Sequence, residues 1–386
     1  MTDNIAMFPD GRSAMYGAFI LVWLICGISQ TGRAQVGPGD QSWTTSSEQK
    51  DPSGAVNPTR TSTSHSEVNG RVVEKTVVEA LGPDGRYIPY SEIERESVRV
   101  NDTTVRNVER SYGRTPDGQR TLTQETQEES RSFPDGARRV NRTISNPDGN
   151  GGLQVVQRAL IDSKQISRGV RETNTTLFSA DGSGGLAATV RINERERQTD
   201  AMSVEFTKST SLLDGAGHWT VSEVREGTIR QEAGGARTTE ERVLRPDASG
   251  KMSVAERIVS KQAASGKGEK SDITETYSTN VPGQAGDGGL RLVRRESTVQ
   301  RTNASGARST TERVEQPNPG DPGAGLRVAQ EAIDIVRLGA NGTAAESRTI
   351  LAPDSNGQLK AVWVDMGRTD NPAMVKVDTA PAKKAK

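Results

Sequence analysis

The sequence predicts an all-β protein, a repetitive antiparallel β-meander of about 17–18 strands built from hairpin repeats of about 33 residues. Three observations predict this fold. A Gly-closed turn recurs along the chain, a weaker turn lies about midway between successive copies, and the segments between turns are rich in Thr, Val, Arg and Glu. A fixed period of this size is typical of repeat proteins. The two turns divide each repeat into two extended arms, which β-branched residues favour.

The main turn contains Asp and occurs once in each repeat. It closes with Gly at positions 85, 118, 152, 185, 217, 250, 289, 325 and 357. Its acidic residues are Asp84, Asp117, Asp148, Asp181, Asp214, Asp247, Asp287, Asp321 and Asp354. Gly adopts the positive φ that tight hairpins require, and Asp accepts a hydrogen bond from the backbone of its own turn. The longest interval, between Gly250 and Gly289, predicts a longer loop within residues 262–288.

The arms between turns have strand character. Apolar residues spaced by two, such as Leu153 and Val155, fall on one face of a strand. The peptides at 236–243 (ARTTEERV) and 307–314 (ARSTTERV) are identical at six of eight positions, which supports duplication, and their Arg and Glu residues suit cross-strand pairing. The segment 325–339 has partly helical spacing, but the repeat frame favours a strand. The meander is predicted as a single layer or as a superhelical solenoid.

Composition limits both the core and the partners. Aromatic residues make up 4% of the chain, so a thick hydrophobic core is not expected. The 50 basic and 50 acidic residues balance and interleave. Nucleic-acid binding requires a basic face, so no nucleic-acid partner is predicted.

The N-terminal sequence indicates export. Residues 14–28 form the one long apolar run, and the small residues Gly32 and Ala34 follow it at the −3 and −1 positions of a cleavage site. This pattern predicts a signal peptide or an N-terminal membrane anchor over residues 1–34. The run contains Cys26, the single cysteine of the chain. A Ser/Thr/Pro/Gly-rich linker is predicted at 35–66, the β-hairpin repeat domain at 67–370 and a disordered tail at 371–386. The expected location is secreted, periplasmic or at the cell surface, with membrane contact only through residues 14–28 if that segment is retained.

No catalytic set is apparent, and the sequence predicts a non-enzyme without a cofactor. Calcium is a weak candidate at Asp148, Asp181 and Asp287, since oxygen-rich turns can hold this ion. The competing interpretation is that each carboxylate only bonds its own turn. Each turn offers a single Asp, which favours that second interpretation.

The predicted function is that of an exported, non-catalytic repeat protein with a structural or adhesive role. The alternative is a module that binds a glycan or protein through the sheet face or edges, with Trp219 and Trp363 as candidate ligand contacts. Self-association through a sheet edge is also open. An outer-membrane β-barrel ranks below both, because arms such as 121–133 lack the outward apolar band of such barrels. An enzyme ranks below both as well.

Overall fold

The computed structural model describes residues 41–50, 56–115, 117–232, 234–265, 268–280, 289–304, 306–318, 320–338 and 344–369. The predicted signal or anchor, the tail 371–386 and Asp287 lie outside these ranges. Within them, we find no helix with the length and apolar character needed to cross a bilayer.

All regular structure in the described ranges is β-strand, which confirms the predicted fold class. The strands are β1 (Gln41–Lys50), β2 (Val56–Val68), β3 (Arg71–Leu81), β4 (Tyr87–Arg99), β5 (Thr104–Arg114), β6 (Arg120–Ser132), β7 (Arg138–Pro147), β8 (Leu153–Ser167), β9 (Val170–Ala180), β10 (Leu186–Gln198), β11 (Ser203–Leu213), β12 (Trp219–Gln231), β13 (Arg237–Pro246), β14 (Met252–Ser265), β15 (Glu269–Ser278), β16 (Arg291–Thr302), β17 (Arg308–Asn318), β18 (Asp321–Leu338), β19 (Ala344–Pro353) and β20 (Leu359–Thr369).

Each strand pairs antiparallel with the strand before it and the strand after it, so the sheet is a meander. The strands β3–β20 occupy the predicted repeat domain and match the predicted number. The segment with partly helical spacing, 325–339, lies largely within β18 as a strand. Within the range 262–288, where a longer loop was predicted, Gln262 belongs to β14 and residues 269–278 form β15. The longest interval between consecutive strands follows, from Ser278 to Arg291, and residues 281–288 in it lie outside the described ranges.

The structure corrects the predicted linker at 35–66. This segment contains β1 and most of β2, which pair from Gln41↔His65 to Lys50↔Val56. Thr and Ser are frequent in both strands, and β-branched Thr favours extended backbone even without apolar neighbours. The Gly and Pro residues that suggested a linker fall in two groups, at 37–39 ahead of β1 and at 52–58 around the start of β2.

The sheet closes on itself through its first and last strands. β1 pairs antiparallel with β20 from Thr45↔Thr369 to Lys50↔Val364. With that ladder, each of the 20 strands has a hydrogen-bonded neighbour on both sides. The meander is therefore a closed single layer rather than a solenoid, and the free edges expected for ligand binding or self-association are paired.

A five-residue turn joins most neighbouring strands. In the turn at 214–218, the Asp214 N–H donates to the His218 carbonyl (2.9 Å) and the Gly217 N–H donates to the Asp214 carbonyl (3.1 Å). Gly217 has φ +85°, the left-handed conformation that favours Gly at this position of a hairpin with a bulge. The same bonds with Gly at the fourth position recur at 82–86, 247–251 and 354–358.

A β-bulge marks the repeat more regularly than the turn does. In the ladder after each main turn, one residue of the second strand has no partner. These residues are Tyr90, Thr123, Val156, Thr189, Ser222, Ala255, Val293, Ala329 and Val362. Their intervals are 33 five times, then 38, 36 and 33. A bulge bends its strand and increases the local twist, so its repetition curves the sheet in one sense, as ring closure requires.

Burial is sparse on both faces of the sheet. The buried apolar residues among those described are Val140, Ala159, Val170, Leu177, Val243, Ala332, Val336 and Ala344. Thr63, Glu92, Thr104, Glu125, Ser145, Glu223, Ser278 and Glu331 are buried as well. The described sheet therefore depends on its backbone ladders and on polar contacts more than on an apolar core.

Ring closure predicts one specific disulfide. Ser47 stands opposite Gly367 in the β1–β20 ladder, and opposed Cα atoms in such ladders are about 4.5–5.5 Å apart, within disulfide reach. In a Cys26→Ser background, the pair Ser47→Cys and Gly367→Cys should oxidise readily under dilute conditions, as measured by loss of free thiol and faster electrophoretic mobility.

The matched control moves one cysteine by one strand. Glu346 is the other ladder partner of Gly367, so it lies two strand spacings, about 9.6 Å, from Ser47. The pair Ser47→Cys and Glu346→Cys should stay reduced. Equal oxidation of both pairs would show that the ring is not closed as described.

A glycine in β12 tests how tightly the ladders pack. A Cβ added at Gly227 would lie 2.2 Å from the Glu240 carbonyl oxygen and 2.8 Å from the Phe206 ring. We expect Gly227→Ala to lower the free energy of unfolding by about 1–3 kcal/mol in urea titrations, as overpacking does. Gly215→Ala is the control, since a Cβ there meets nothing within 4 Å. Equal stabilities of the two variants would refute the close approach at Gly227.

Candidate functional site

The Asp residues of the main turns lie at one end of the ring, which we call the Asp rim. Neighbouring strands run in opposite directions, so all turns that lead from an odd-numbered strand to the next even-numbered strand lie at the same end. Asp84, Asp117, Asp148, Asp181, Asp214, Asp247 and Asp354 belong to these turns, and Asp321 begins β18 at the same end. The carboxylates of the main turns therefore line the same end of the ring.

The carboxylates do not all occupy one position of the turn. Asp148 and Asp181 stand first, where one carboxylate oxygen accepts from the backbone N–H groups two and four residues later, at 2.8–3.0 Å. Asp84 stands third in its turn, where its carboxylate accepts from the Arg86 N–H at 3.1 Å and lies 3.9 Å from Nε of the same residue. The spacing of Asp and Gly in the sequence does not distinguish these two kinds of turn, because both place Asp one to four residues before Gly.

Hydrogen bonds to the rim carboxylates favour their charged form. The Ser183 hydroxyl and backbone lower the pKa of Asp181, and the Ser249 hydroxyl and backbone lower that of Asp247. The Lys360 ammonium, 2.8 Å from Asp354, lowers the pKa of that carboxyl together with two backbone N–H groups.

Calcium at these turns stays a prediction. Asp148 and Asp181 already use one oxygen for their own turns, and Asp287 lies outside the described ranges. No group of three or more His, Cys, Asp or Glu residues within the described ranges has the arrangement of a metal site.

The two predicted aromatic contacts are far apart. Following the ladder registers, Trp219 shares a face of the sheet with Glu92, whereas Trp363 lies on the opposite face, eight strands further on. Neither indole is fully exposed. The Arg191 guanidinium carbon lies 4.1 Å from the centre of the Trp219 ring, so a cation already covers part of that surface. The structure does not bring the two tryptophans into one site.

A charged cluster that the sequence did not single out surrounds Glu92, whose side chain is only 5% exposed. The Lys75 ammonium and the Arg120 guanidinium lie 2.8 and 2.6 Å from one of its oxygens. Arg120 also contacts Glu94 at 2.7 Å and stacks 3.4 Å from the centre of the Tyr112 ring. Four strands, β3–β6, therefore meet in one network. We call this side of the sheet the Glu92 face.

The electrostatics of this cluster hold Glu92 ionised. Burial alone would raise the pKa of its carboxyl, but the hydrogen bond from Lys75 and the charges of Lys75 and Arg120 outweigh burial and lower the pKa. The pKa of Tyr112 is raised, first by burial and then by the neighbouring Glu94 carboxylate.

A second charged cluster lies on the opposite side, which we call the Glu223 face. Glu223 contacts Arg225 at 2.6 Å and Arg245 at 3.1 Å, and these cations continue to Glu241 and Glu256, each at 3.0 Å. Burial would raise the pKa of Glu223, but the bonds and charges of Arg225 and Arg245 lower it. The described strands thus carry ion pairs on both faces, and neither face is continuously apolar.

The sequence contained a signal for the first cluster. Glu92 and Glu125 are 33 residues apart, each two residues after a bulge. Arg–Glu pairing across strands was predicted in general, and Arg110–Glu125 at 2.6 Å is one such pair. Which pairs would be buried depends on the ring's curvature, which no single arm encodes.

Comparisons with known proteins show likeness in fold only. No family model matches the chain, and no curated protein matches it. The siderophore receptor PirA of Pseudomonas aeruginosa superposes with a TM-score of 0.50 at 9% identity, covering 87% of this chain and 81% of that one. PirA of Acinetobacter baumannii gives 0.49 at 7% identity, covering 87% and 80%. The ferric citrate transporter FecA gives 0.45 at 10% identity, covering 87% and 79%.

The architecture corrects the predicted function. A structural or adhesive repeat protein was predicted from an extended sheet with open faces and edges. The chain instead forms a closed ring whose fold resembles a receptor barrel. Binding through sheet edges is excluded within the described strands for the same reason, and the interpretation of a secreted structural repeat is withdrawn. The three solved structures named above are described as receptors or a transporter, not as enzymes.

The Glu92 cluster predicts a pH-dependent stability. We expect Glu92→Gln to lower the free energy of unfolding at pH 7 by about 1–3 kcal/mol, between the values for exposed and buried pairs, because Lys75 and Arg120 are partly exposed. The folded-state pKa of Glu92 is lowered, so its contribution is present above the ordinary Glu pKa and is lost as the pH falls through the folded value. In urea titrations from pH 7 down to acidic pH, the difference in free energy of unfolding between wild type and variant should decrease.

Glu96→Gln is the matched control on the same strand and face. Glu96 pairs at 2.9 Å with Arg71, whose side chain is 59% exposed, so its loss should cost no more than about 0.5 kcal/mol. Equal costs for Glu92→Gln and Glu96→Gln, or a gap that does not change with pH, would contradict the role assigned to Glu92.

Proposed function

We propose that this chain is an exported barrel of the cell envelope that takes small polar solutes into its lumen and serves in their transport. The observation that carries the proposal is the β1–β20 ladder, because a closed ring encloses a space that an open sheet does not.

The ring is wide enough to hold solutes. Twenty strands spaced about 4.8 Å apart give a circumference of about 96 Å and, for a circular ring, a backbone diameter of about 31 Å before strand tilt is added. Side chains take about 5 Å from each wall, which leaves a bore of about 20 Å. Barrels of comparable strand number enclose water-filled or plugged lumens.

The wall chemistry suits polar solutes. One face lines the lumen and the other faces outward, and both carry ion pairs, such as Arg110–Glu125 on the Glu92 face and Arg225–Glu223 on the Glu223 face. A charged lumen wall favours hydrated, polar ligands over apolar ones. A charged outer wall favours water over lipid, so the barrel is proposed to stand in an aqueous part of the envelope.

Two further points support this proposal. The apolar run at 14–28 is typical of an export signal. The structure at a TM-score of 0.50 is described as a siderophore receptor, and it supports the proposal through the barrel fold alone.

Thiol labelling tests both the lumen and the location. Ser297 and Thr298 are neighbours in β16, so their side chains point to opposite faces. In a Cys26→Ser background, we expect Ser297→Cys and Thr298→Cys to react equally with a small maleimide. Only the outward thiol should react with a maleimide carrying a long polyethylene glycol chain. Each variant is the control for the other.

The same variants locate the protein in producing cells. After fractionation, the chain should be found with the envelope and should react with a small, membrane-impermeant maleimide in cells whose outer layer has been opened. Equal reaction of both thiols with the large reagent would refute a closed lumen. Recovery of the chain with the cytoplasm would refute the envelope location.

A further inference from the structure

A cavity of about 570 Å³ opens on the Glu223 face near the end of the ring opposite the Asp rim. It is lined by β6–β9 and by the turn at 133–137. Its volume lies in the range of small-molecule sites, about 300–1,000 Å³. The cavity belongs to neither charged cluster described above.

The floor of the cavity is apolar. Val140 is only 6% exposed, and Phe133 and Ile161, both half-buried, complete the floor. Beside them the Thr173 hydroxyl donates to the Ser163 hydroxyl oxygen at 3.0 Å, which leaves the Ser163 hydroxyl proton to donate elsewhere. The floor suits the hydrocarbon part of a ligand.

The wall of the cavity has an excess of positive charge. Arg138, Arg142 and Arg171 line it with one acid, Glu128. Arg142 uses Nε and Nη2 on a single oxygen of Glu128 and is neutralised there. Arg138 donates from Nε to the Ser130 hydroxyl at 2.8 Å and makes no ion pair within the described ranges. Two guanidinium groups therefore face the cavity without a carboxylate.

The strand register brings one further acid close to Arg171. Glu196 stands opposite Arg171 in the β9–β10 ladder, yet no ion pair joins the two side chains, and Glu196 does not line the cavity. The Arg171 residue is exposed, and its side chain makes no ion pair or hydrogen bond to the other described residues. Its planar guanidinium can therefore take an incoming carboxylate or sulfonate by two parallel hydrogen bonds.

We propose that this cavity binds a small organic anion with an apolar body, of which a medium-chain carboxylate is the simplest example. Arg138 and Arg171 hold the anionic group, and Phe133, Val140 and Ile161 contact the hydrocarbon. This inference goes beyond the proposed function, since it names a site and a ligand class and holds wherever the barrel resides.

Calorimetric titration of the full chain with octanoate tests the site. Octanamide, which has the same hydrocarbon without the charge, and inorganic phosphate, which has charge without hydrocarbon, are the comparison ligands. We expect octanoate to bind one site per chain, and the other two to bind at least tenfold more weakly.

Three single substitutions assign the binding to the cavity. Arg171→Gln and Arg138→Gln should each weaken octanoate about tenfold or more. Glu196→Gln should strengthen it severalfold by removing the opposed charge. Arg168→Gln is the matched control, because Arg168 belongs to the same β8–β9 hairpin but does not line the cavity, and it should leave the affinity unchanged. Far-ultraviolet circular dichroism of each variant checks that the sheet persists.

Several outcomes would overturn the inference. Equal binding of octanamide would show that the cavity recognises only the hydrocarbon. Equal binding of phosphate would show that it recognises only the negative charge. An unchanged affinity in both Arg171→Gln and Arg138→Gln, with the folded spectrum retained, would place the octanoate elsewhere. Absence of octanoate binding at millimolar concentration would also reject the proposal.

Discussion

The structure depends on one constraint, which is that a sheet without a thick apolar core must satisfy its backbone along every strand. A strand at a free edge leaves a row of N–H and C=O groups without protein partners. Pairing β1 with β20 removes both edges at once. The repeat, the bulges and the turns all serve this closure, because they set the curvature and the register that bring the first and last strands together.

Charge pairs occupy the places that apolar side chains fill in thicker folds. Glu92, Glu125 and Glu223 are among the buried residues of the sheet, and each contacts an arginine within about 2.6 Å. A buried carboxylate is costly unless cations surround it, so these networks fix which strands stand side by side. Because the networks occur on both faces, charged side chains that join neighbouring strands are present on whichever face lines the inside of the ring.

Much of the fold could be predicted from local sequence. Gly at the fourth turn position and Asp at the first are local requirements of a hairpin, and they revealed the period and the strand count. The linker prediction at 35–66 failed because Ser- and Thr-rich sequence occurs both in flexible linkers and in solvated strands. Closure could not be predicted, since the pairing of Lys50 with Val364 depends on the summed curvature of eighteen intervening strands.

The site was less predictable than the fold. The Asp turns could be found from local sequence, and so could the bonds that Asp148 and Asp181 make to their own turns, while calcium binding there stays a prediction. The buried networks and the cavity of β6–β9 combine residues from several strands. Arg138 and Arg171 have no shared motif, and only the register places them around Val140 and Ile161. Residues that meet across ladders cannot be read from one arm at a time.

The regular spacing of the bulges has a consequence for how such a chain can change over generations. One unit of 33 residues contributes one bulged hairpin, and hence two strands and about 9.6 Å of circumference. Loss or duplication of one unit keeps the strand number even, so the two ends still meet antiparallel. The diameter then changes in steps of about 3 Å while every remaining ladder keeps its partners. Near-identical segments such as 236–243 and 307–314 are natural points for unequal recombination. The number of 33-residue units therefore sets the diameter of the ring, and this diameter can change without a change in the sequence of the remaining strands.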